Sequence, residues 1–163
     1  LIASSQRNNF IKNLALGRTG NTLLLFQMVE KHGRILYNII NSEAKDRKVF
    51  FVHGGVDAET REDIRAITEK ENDAIIVASY GTFSTGINIK NLHYIMFAGG
   101  GKAKIKIVQS IGRGLRLHND KKELIIFDIA DNLRYGQRHM EQRLLLYDSE
   151  YIDYKFTQYH ETN

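Results

Sequence analysis

The chain has 163 residues, enough for one domain with a sizeable core. Hydrophobic residues make up 42% and charged residues 26%, as in ordinary globular proteins, and the formal net charge of +4 favours a polyanionic partner such as nucleic acid. The sequence contains no cysteine, which excludes disulfides and thiolate chemistry, and no long apolar run or signal pattern, which predicts a cytoplasmic protein with no membrane partner.

Helical and strand patterns alternate along the chain. A leading helix is predicted within residues 1–17, with Ser4 and Ser5 as cap candidates. The pattern continues as strand 22–26, helix 29–41, strand 48–52, a helix from the N-cap candidate Asp57, strand 74–78, strand 94–98, helix 102–116 and strand 123–128. This alternation with short connections predicts an α/β domain with a mainly parallel sheet and right-handed crossovers.

Residues 131–163 have a weaker pattern. A helix is predicted at 133–148, and the segment from Tyr151 to Tyr159 is either a strand or a tail. The tyrosines of this segment have two interpretations: they stack on nucleic-acid bases, or they pack on the surface of their own domain, which is the commoner case.

The turns that follow the predicted strands define a candidate site. Ligands of parallel α/β sheets gather at the carboxyl ends of the strands. Three segments should therefore line one edge of the sheet: His53 to Gly55, the hydroxyl-rich stretch Ser79 to Asn88, and Gly99 to Lys102. The last segment lacks the residues of a complete phosphate-binding loop, although its amides and Lys102 still suit contact with phosphate.

The predicted helix 102–116 presents two faces. Helical spacing places five polar or cationic residues on one face, namely Lys102, Lys106, Gln109, Arg113 and Arg116. The other face carries the apolar residues Ile105, Val108, Ile111 and Leu115. The glycines at 112 and 114 are unfavourable within a helix, so either a ligand approaches closely there or the helix ends.

Other chemistries find little support. The six histidines show no paired spacing for a metal site, and neither a Ser-His-Asp arrangement nor a nucleophile elbow can be argued from the sequence. Asp128, at the end of the fifth predicted strand, is a candidate for orienting an arginine, although such a carboxylate is more often a turn or cap residue.

Two of these segments together resemble motifs V and VI of superfamily 2 helicases. Gln109, Gly112, Arg113 and Arg116 meet the Gln-x-x-Gly-Arg-x-x-Arg pattern of motif VI in full, and Ser79 followed by Gly86-Ile87-Asn88 resembles motif V. The family places the motif V hydroxyl where this chain has Tyr80, one residue after Ser79, and an aspartate is common where Asn88 stands. Residues 22–27 are similar to motif IV.

The resemblance implies that residues 1–163 are a single C-terminal RecA-like domain, with a leading helix at 1–17, a central sheet covered by helices on both faces, and an extension at 131–163. It implies that Arg113 and Arg116 act as arginine fingers on ATP and that Gln109 orders the cleft. It also implies that Gly86, Asn88 and Gly112 lie on the nucleotide side. The implied nucleic-acid contacts are Gly54, Gly55, Ser79, Thr82 and Lys102.

The sequence lacks two motifs that bind ATP and magnesium in helicases of this superfamily. It contains no Gly-Lys-Thr loop and no Asp-Glu pair for magnesium. ATP and Mg²⁺ are therefore expected to be held mainly by an N-terminal RecA-like domain that precedes this chain, and the chain alone is expected to be inactive. The expected partners are single-stranded or branched DNA, or an RNA–DNA hybrid.

Two alternatives remain from the residues themselves. The domain could be a stand-alone nucleic-acid-binding module in which Lys102, Lys104 and Lys106 make salt-sensitive contacts. It could also be a small-molecule enzyme that uses the same strand ends, which requires a deep pocket with convergent polar groups.

Overall fold

A computed structural model describes residues 4–84, 91–99, 104–109, 123–130, 134–149, 152–155 and 157–158. The chain forms two compact units, Leu1–Ile129 and Ala130–Asn163. No helix in the described ranges is both long enough and apolar enough to cross a membrane.

The first unit alternates strands and helices as the sequence predicts. Its strands are β1 Thr22–Phe26, β2 Val49–Val52, β3 Ile75–Ser79, β4 Tyr94–Phe97 and β5 Ile125–Asp128. Its helices are α1 Ser5–Leu16, α2 Arg34–Glu43, α3 Ala58–Lys70, α4 Tyr80–Ser84 and a helical segment at 104–109, which we label α5. The α4 turn was not predicted as a helix.

The five strands form one sheet in the order β2-β3-β1-β4-β5, and every pairing between neighbours is parallel. The connection from β1 to β2 runs in one direction across the sheet, whereas the later connections run in the other. Right-handed crossovers therefore place α2 on one face and α3 and α5 on the opposite face. The predicted α/β architecture with helices on both faces is confirmed.

The main core lies between the sheet and the helices α1 and α2. Leu24 and Phe26 of the central strand β1 pack there with Ile11 of α1 and with Leu36 and Ile40 of α2, all fully buried. Every residue of β1 is buried, because both of its faces are covered by helices. This arrangement fixes the position of the strand ends.

Helix starts follow the predicted caps, with one difference. The side chain of Ser4 accepts from the Arg7 amide at the start of α1, and that of Asp57 accepts from the Thr60 amide at the start of α3. The predicted helix at 29–41 instead begins with a π-helical turn, Val29–Gly33. Gly33 lies against the ring of Phe26, and a Cβ added there would overlap the ring carbons, so a larger residue would force the buried ring to move.

The amino ends of the central strands are joined by the buried side chain of Asn21. Its Nδ2 donates to the carbonyl oxygens of Thr68, Glu71 and Asn91, at 3.1, 2.7 and 2.8 Å, and its Oδ1 accepts from the Ala74 amide at 2.8 Å. One side chain therefore joins the end of α3 to the segments that lead into β3 and β4.

Arg47 makes a second connection at the same end of the sheet. Its guanidinium donates to the backbone carbonyl oxygens of Ala15, Gly20 and Asp73, and forms an ion pair with the Asp73 carboxylate at 2.9 Å. The partial burial of this group lowers the pKa of Arg47 through desolvation. Because an arginine pKa starts far above neutrality, the guanidinium stays charged and continues to hold these carbonyls.

The second unit contains α6, Arg134–Ser149, and part of the segment after it. The Ile152 amide donates to the Tyr147 carbonyl at 2.9 Å, and the rings of Tyr147 and Tyr154 lie 6.2 Å apart. Tyr147 is buried and Tyr154 is half-exposed. Tyr154 of the final segment therefore contacts a buried tyrosine of α6 within the same unit.

Candidate functional site

The carboxyl ends of the five parallel strands bring the predicted site segments to one edge of the sheet. Gln27 follows β1, His53 follows β2, Ser79 ends β3, Gly99 follows β4 and Asp128 ends β5. This edge is the one at which parallel sheets bind ligands. The geometry therefore agrees with the placement that the sequence predicted for the described segments.

The turn after β2 is exposed and held by a local hydrogen bond. The Gly55 amide donates to His53 Nδ1 at 3.0 Å, and the His53 ring lies 5.0 Å from the ring of Phe51. Apart from its two chain neighbours, no heavy atom of the described residues lies within 4 Å of a Cβ added at Gly54. The backbone of this turn is thus open to a ligand, and the nucleic-acid role predicted for Gly54 and Gly55 stays a prediction.

The segment after β3 forms a short helix because Ser79 caps it. The hydroxyls of Ser79 and Thr82 share a hydrogen bond of 2.7 Å, and Ser79 Oγ also accepts from the Thr82 amide at 3.4 Å. The two residues are 8% and 3% exposed. In this conformation both hydroxyls support the α4 turn, and the contact with a sugar-phosphate backbone predicted for them stays a prediction.

The buried face of α5 differs from the predicted one by a small rotation. Ile107 and Val108 are buried with Lys104, while Lys106 and Gln109 are exposed. Val108 therefore lies on the buried side as predicted and Gln109 on the exposed side. The prediction for Ile105 is wrong, since this side chain is 41% exposed.

Lys104 forms a buried ion pair with the end of β5. Its Nζ lies 3.4 Å from Asp128 Oδ1 and 5.6 Å from the centre of the Phe97 ring, and the residue is 2% exposed. Lys104 is therefore unavailable for the salt-sensitive surface contact that the binding-module alternative assigned to it. Asp128 pairs with this lysine, and its candidate role in orienting an arginine stays a prediction.

Sequence reasoning missed this pair because lysine is usually a surface residue. The only signal was the carboxylate at the end of a predicted strand, which has no fixed partner in the sequence. The pair matters for the site because it fastens the start of α5, and so the helix that presents Gln109, to the carboxyl end of β5.

Six predicted site residues lie outside the described ranges. They are Gly86, Asn88, Lys102, Gly112, Arg113 and Arg116. Their positions along the chain are nevertheless bounded by described residues: Gly86 and Asn88 follow α4, Lys102 precedes α5, and the last three follow Gln109. Their predicted roles stay predictions.

Comparison with known proteins decides the family. The profile of the helicase conserved C-terminal domain matches residues 6–118, which is more than half of the chain. The chain belongs to this family. The helicase domain thus includes the whole sheet edge up to Gly99, α5 and the motif VI pattern at 109–116.

Among characterised proteins, this helicase domain is 41% identical over 131 residues to the ATP-dependent DNA helicase uvsW of Enterobacteria phage T4. The match covers 78% of this chain and 26% of the relative. The runs Ala78 to Gly81 and Phe83 to Ile87 indicate a resemblance to UvsW, and the match confirms this resemblance for the chain as a whole. The chain therefore spans about a quarter of the length of this relative.

Solved structures show the same fold. The crystal structure of T4 UvsW matches with a TM-score of 0.72 and 34% identity, covering 91% of this chain and 33% of that one. Domain 2 of the DEAD-box helicase Mss116p, solved on an RNA duplex, matches with a TM-score of 0.65 and 19% identity, covering 90% of this chain and 55% of that one. The fold is therefore that of RecA-like helicase C-terminal domains.

Proposed function

We propose that this chain is the second motor domain of an ATP-dependent DNA or RNA helicase or translocase. The observation that carries the proposal is the placement of Gln109 on the exposed side of a helix that starts at the carboxyl edge of the sheet. Gly112, Arg113 and Arg116 follow it in the motif VI pattern. Membership of the helicase family and 41% identity to an ATP-dependent DNA helicase support the same function.

In this proposal the chain supplies groups to ATP and does not hold the nucleotide alone. ATP with Mg²⁺ supplies the transferable phosphoryl group, and both bind mainly to an N-terminal RecA-like domain of the same protein. Planar, permanently charged guanidinium groups fit the charge that develops on that phosphoryl group, which suits Arg113 and Arg116. Gln109, Gly86, Asn88 and Gly112 line the same cleft from this side.

The nucleic acid would lie on the turns that follow β2 and β3. The exposed backbone of Gly54 and Gly55 offers space for a sugar-phosphate chain, and such contacts position a strand without selecting its sequence. Ser79, Thr82 and Lys102 complete the proposed surface. Closing and opening of the cleft would then move the strand relative to the two domains in the host cytoplasm.

The arginines provide the test. In the full-length protein, Arg116→Ala is expected to lower the rate of ATP hydrolysis by about 10³-fold or more, the scale of an arginine finger. Arg113→Ala should also lower the rate, and nucleotide affinity should change far less, because the nucleotide is held by the other domain. Single-turnover hydrolysis and equilibrium nucleotide binding measure the two quantities separately.

A matched control is available in Arg138→Ala, which removes an exposed arginine of α6 that lies outside the motif. This variant should hydrolyse ATP at the rate of the unmodified protein. Near-normal turnover in both the Arg113 and the Arg116 variants would show that the finger assignment is wrong.

A further inference from the structure

Tyr80 connects two site segments that do not neighbour each other in the sheet. Phe26 of β1 pairs with Ser79, and Leu25 of β1 pairs with Phe97. Continuing both registers places Tyr80, Gln27 and Gly99 side by side across the carboxyl edge, with Gln27 in the middle. The Tyr80 hydroxyl nevertheless donates to the Gly99 carbonyl oxygen at 2.7 Å.

Only a long side chain can make this connection. Strands two places apart in a sheet are separated by about 9.6 Å, twice the spacing of neighbours. A serine or threonine hydroxyl at position 80 would stop well short of Gly99, whereas the phenol of a tyrosine spans most of the gap. The contact therefore requires the length of the tyrosine side chain as well as its hydroxyl.

The connection is buried and closely packed. Tyr80 is 3% exposed, and its ring lies 6.2 Å from that of Phe97. A Cβ added at Gly99 would lie 3.6 Å from the Gln27 amide nitrogen and 3.9 Å from Tyr80 Cε2. A hydrogen bond in such a dry setting couples its two ends more strongly than a bond at the surface.

Each end of this bond leads directly into a functional segment. Tyr80 starts α4 and the motif V segment, and it stands where the family has its motif V hydroxyl. Gly99 is followed, after four residues, by α5 and motif VI. We infer that Tyr80 is a positioning residue that couples the nucleic-acid-binding segment after β3 to α5 and the motif VI segment that follows it. This inference rests on the proposed function.

The substitution Tyr80→Phe tests it, because it removes the hydroxyl and keeps the ring. In the full-length protein, kcat for ATP hydrolysis in the presence of saturating single-stranded DNA should fall about fivefold, the effect of about one hydrogen bond. The kcat without DNA and the KM for ATP should both stay within about twofold of the unmodified protein, since the bond transmits the effect of DNA and contacts neither ligand.

Tyr37→Phe is the matched control. It removes another phenol hydroxyl from a tyrosine whose ring stacks on Phe51 at 5.2 Å, outside this connection. DNA stimulation in this variant should equal that of the unmodified protein. The thermal midpoint of both variants is measured alongside, because a purely structural bond would lower the midpoint and reduce both rates together.

The outcomes separate the inference from the function on which it rests. Unchanged stimulation in Tyr80→Phe, or an equal fall of stimulated and unstimulated kcat, would overturn the coupling role while leaving the motor function intact. If the unmodified full-length protein hydrolysed no ATP with single-stranded DNA, double-stranded DNA or RNA, the proposed function would fail, and the coupling role with it.

Discussion

Within the described residues, buried side chains connect distant segments at the amino ends of the strands, whereas mostly local contacts shape the turns at the carboxyl ends. Asn21 and Arg47 each bond to several backbone segments in the first region. In the second region, His53 bonds to Gly55 two residues away, and Ser79 bonds to Thr82 three residues away.

The difference follows from what each end must do. A network of buried polar groups that are all satisfied is rigid, and it is costly to open. Turns held by local bonds can change conformation at low cost, which a surface that closes on a ligand requires. Among the described side chains of the carboxyl edge, Tyr80 with Gly99 and Lys104 with Asp128 are long-range exceptions, and they involve α5 and the segment before it.

Substitution of Asn21 should have the largest effect on stability. Asn21→Ala removes a buried partner from the Ala74 amide and from the Asn91 carbonyl oxygen. The carbonyl oxygens of Thr68 and Glu71 keep a second donor, the Glu71 amide and Asn91 Nδ2 respectively. Leaving buried groups unsatisfied costs about 1–3 kcal/mol each, partly relieved by water, so the free energy of unfolding should fall by about 3–4 kcal/mol. Urea denaturation of the purified chain measures it.

The control for this prediction is Asn38→Ala, at an exposed position of α2, which should change the free energy of unfolding by less than about 0.5 kcal/mol. Asn21→Asp offers a sharper comparison, because it keeps the acceptor for Ala74 and turns the donor into an oxygen facing three carbonyls. A loss below that of Asn38→Ala in either Asn21 variant would contradict the assignment of the amino ends as the rigid end of the sheet.

Breaking the buried ion pair at the carboxyl edge should have the second-largest effect. Lys104→Met keeps the length of the side chain and leaves Asp128 without that cation. Removing one partner of a buried ion pair lowers the free energy of unfolding by at least about 3 kcal/mol. We expect a loss near this lower limit, because Lys104 Nζ and Asp128 Oδ1 are 3.4 Å apart and Asp128 is partly exposed.

Lys106→Met, on the exposed side of the same helix, is the matched control and should be nearly neutral. The double substitution Lys104→Met with Asp128→Asn should recover part of the lost stability, because it removes both charges. If Lys104→Met and Lys106→Met had equal midpoints in urea, the ion pair would not fasten α5 to β5.

The sequence predicts best where burial alone decides the structure. β1 has the predicted bounds because a central parallel strand, covered on both faces, appears as a continuous apolar run. The caps at Ser4 and Asp57 are confirmed for a similar reason, since a cap acts within three residues of its own position. Local rules are sufficient for such features.

Prediction fails where a contact joins residues that are distant along the chain. Lys104 is buried because Asp128, 24 residues later, offsets the cost of removing its charge from water, and this burial brings positions 104, 107 and 108 of α5 inward. The bond from Tyr80 to Gly99 spans 19 residues and could not be anticipated from the hydroxyl-rich pattern of 79–88. Both contacts depend on the strand order.

The smallest expected effect concerns Asp57, the cap that follows the open turn after β2. The Thr60 amide donates to its carboxylate at 2.7 Å, and this hydrogen bond lowers the pKa of Asp57 below its ordinary value although the residue is exposed. Because the folded state binds the proton more weakly than the unfolded state, the stabilisation is present above the ordinary aspartate pKa and is lost as the pH falls through the lowered one.

Asp57→Ala should therefore lower the thermal midpoint slightly at neutral pH, and the difference from the unmodified chain should shrink as the solution is acidified into the range where Asp57 protonates. Asp63→Ala, in the exposed middle of α3, supplies the baseline for loss of a carboxylate that caps nothing. A difference that grew on acidification would mean that the cap acts through its neutral form. If Asp57→Ala lowered the thermal midpoint as much as Asn21→Ala does, the turn after β2 would be as firmly held as the amino ends of the strands.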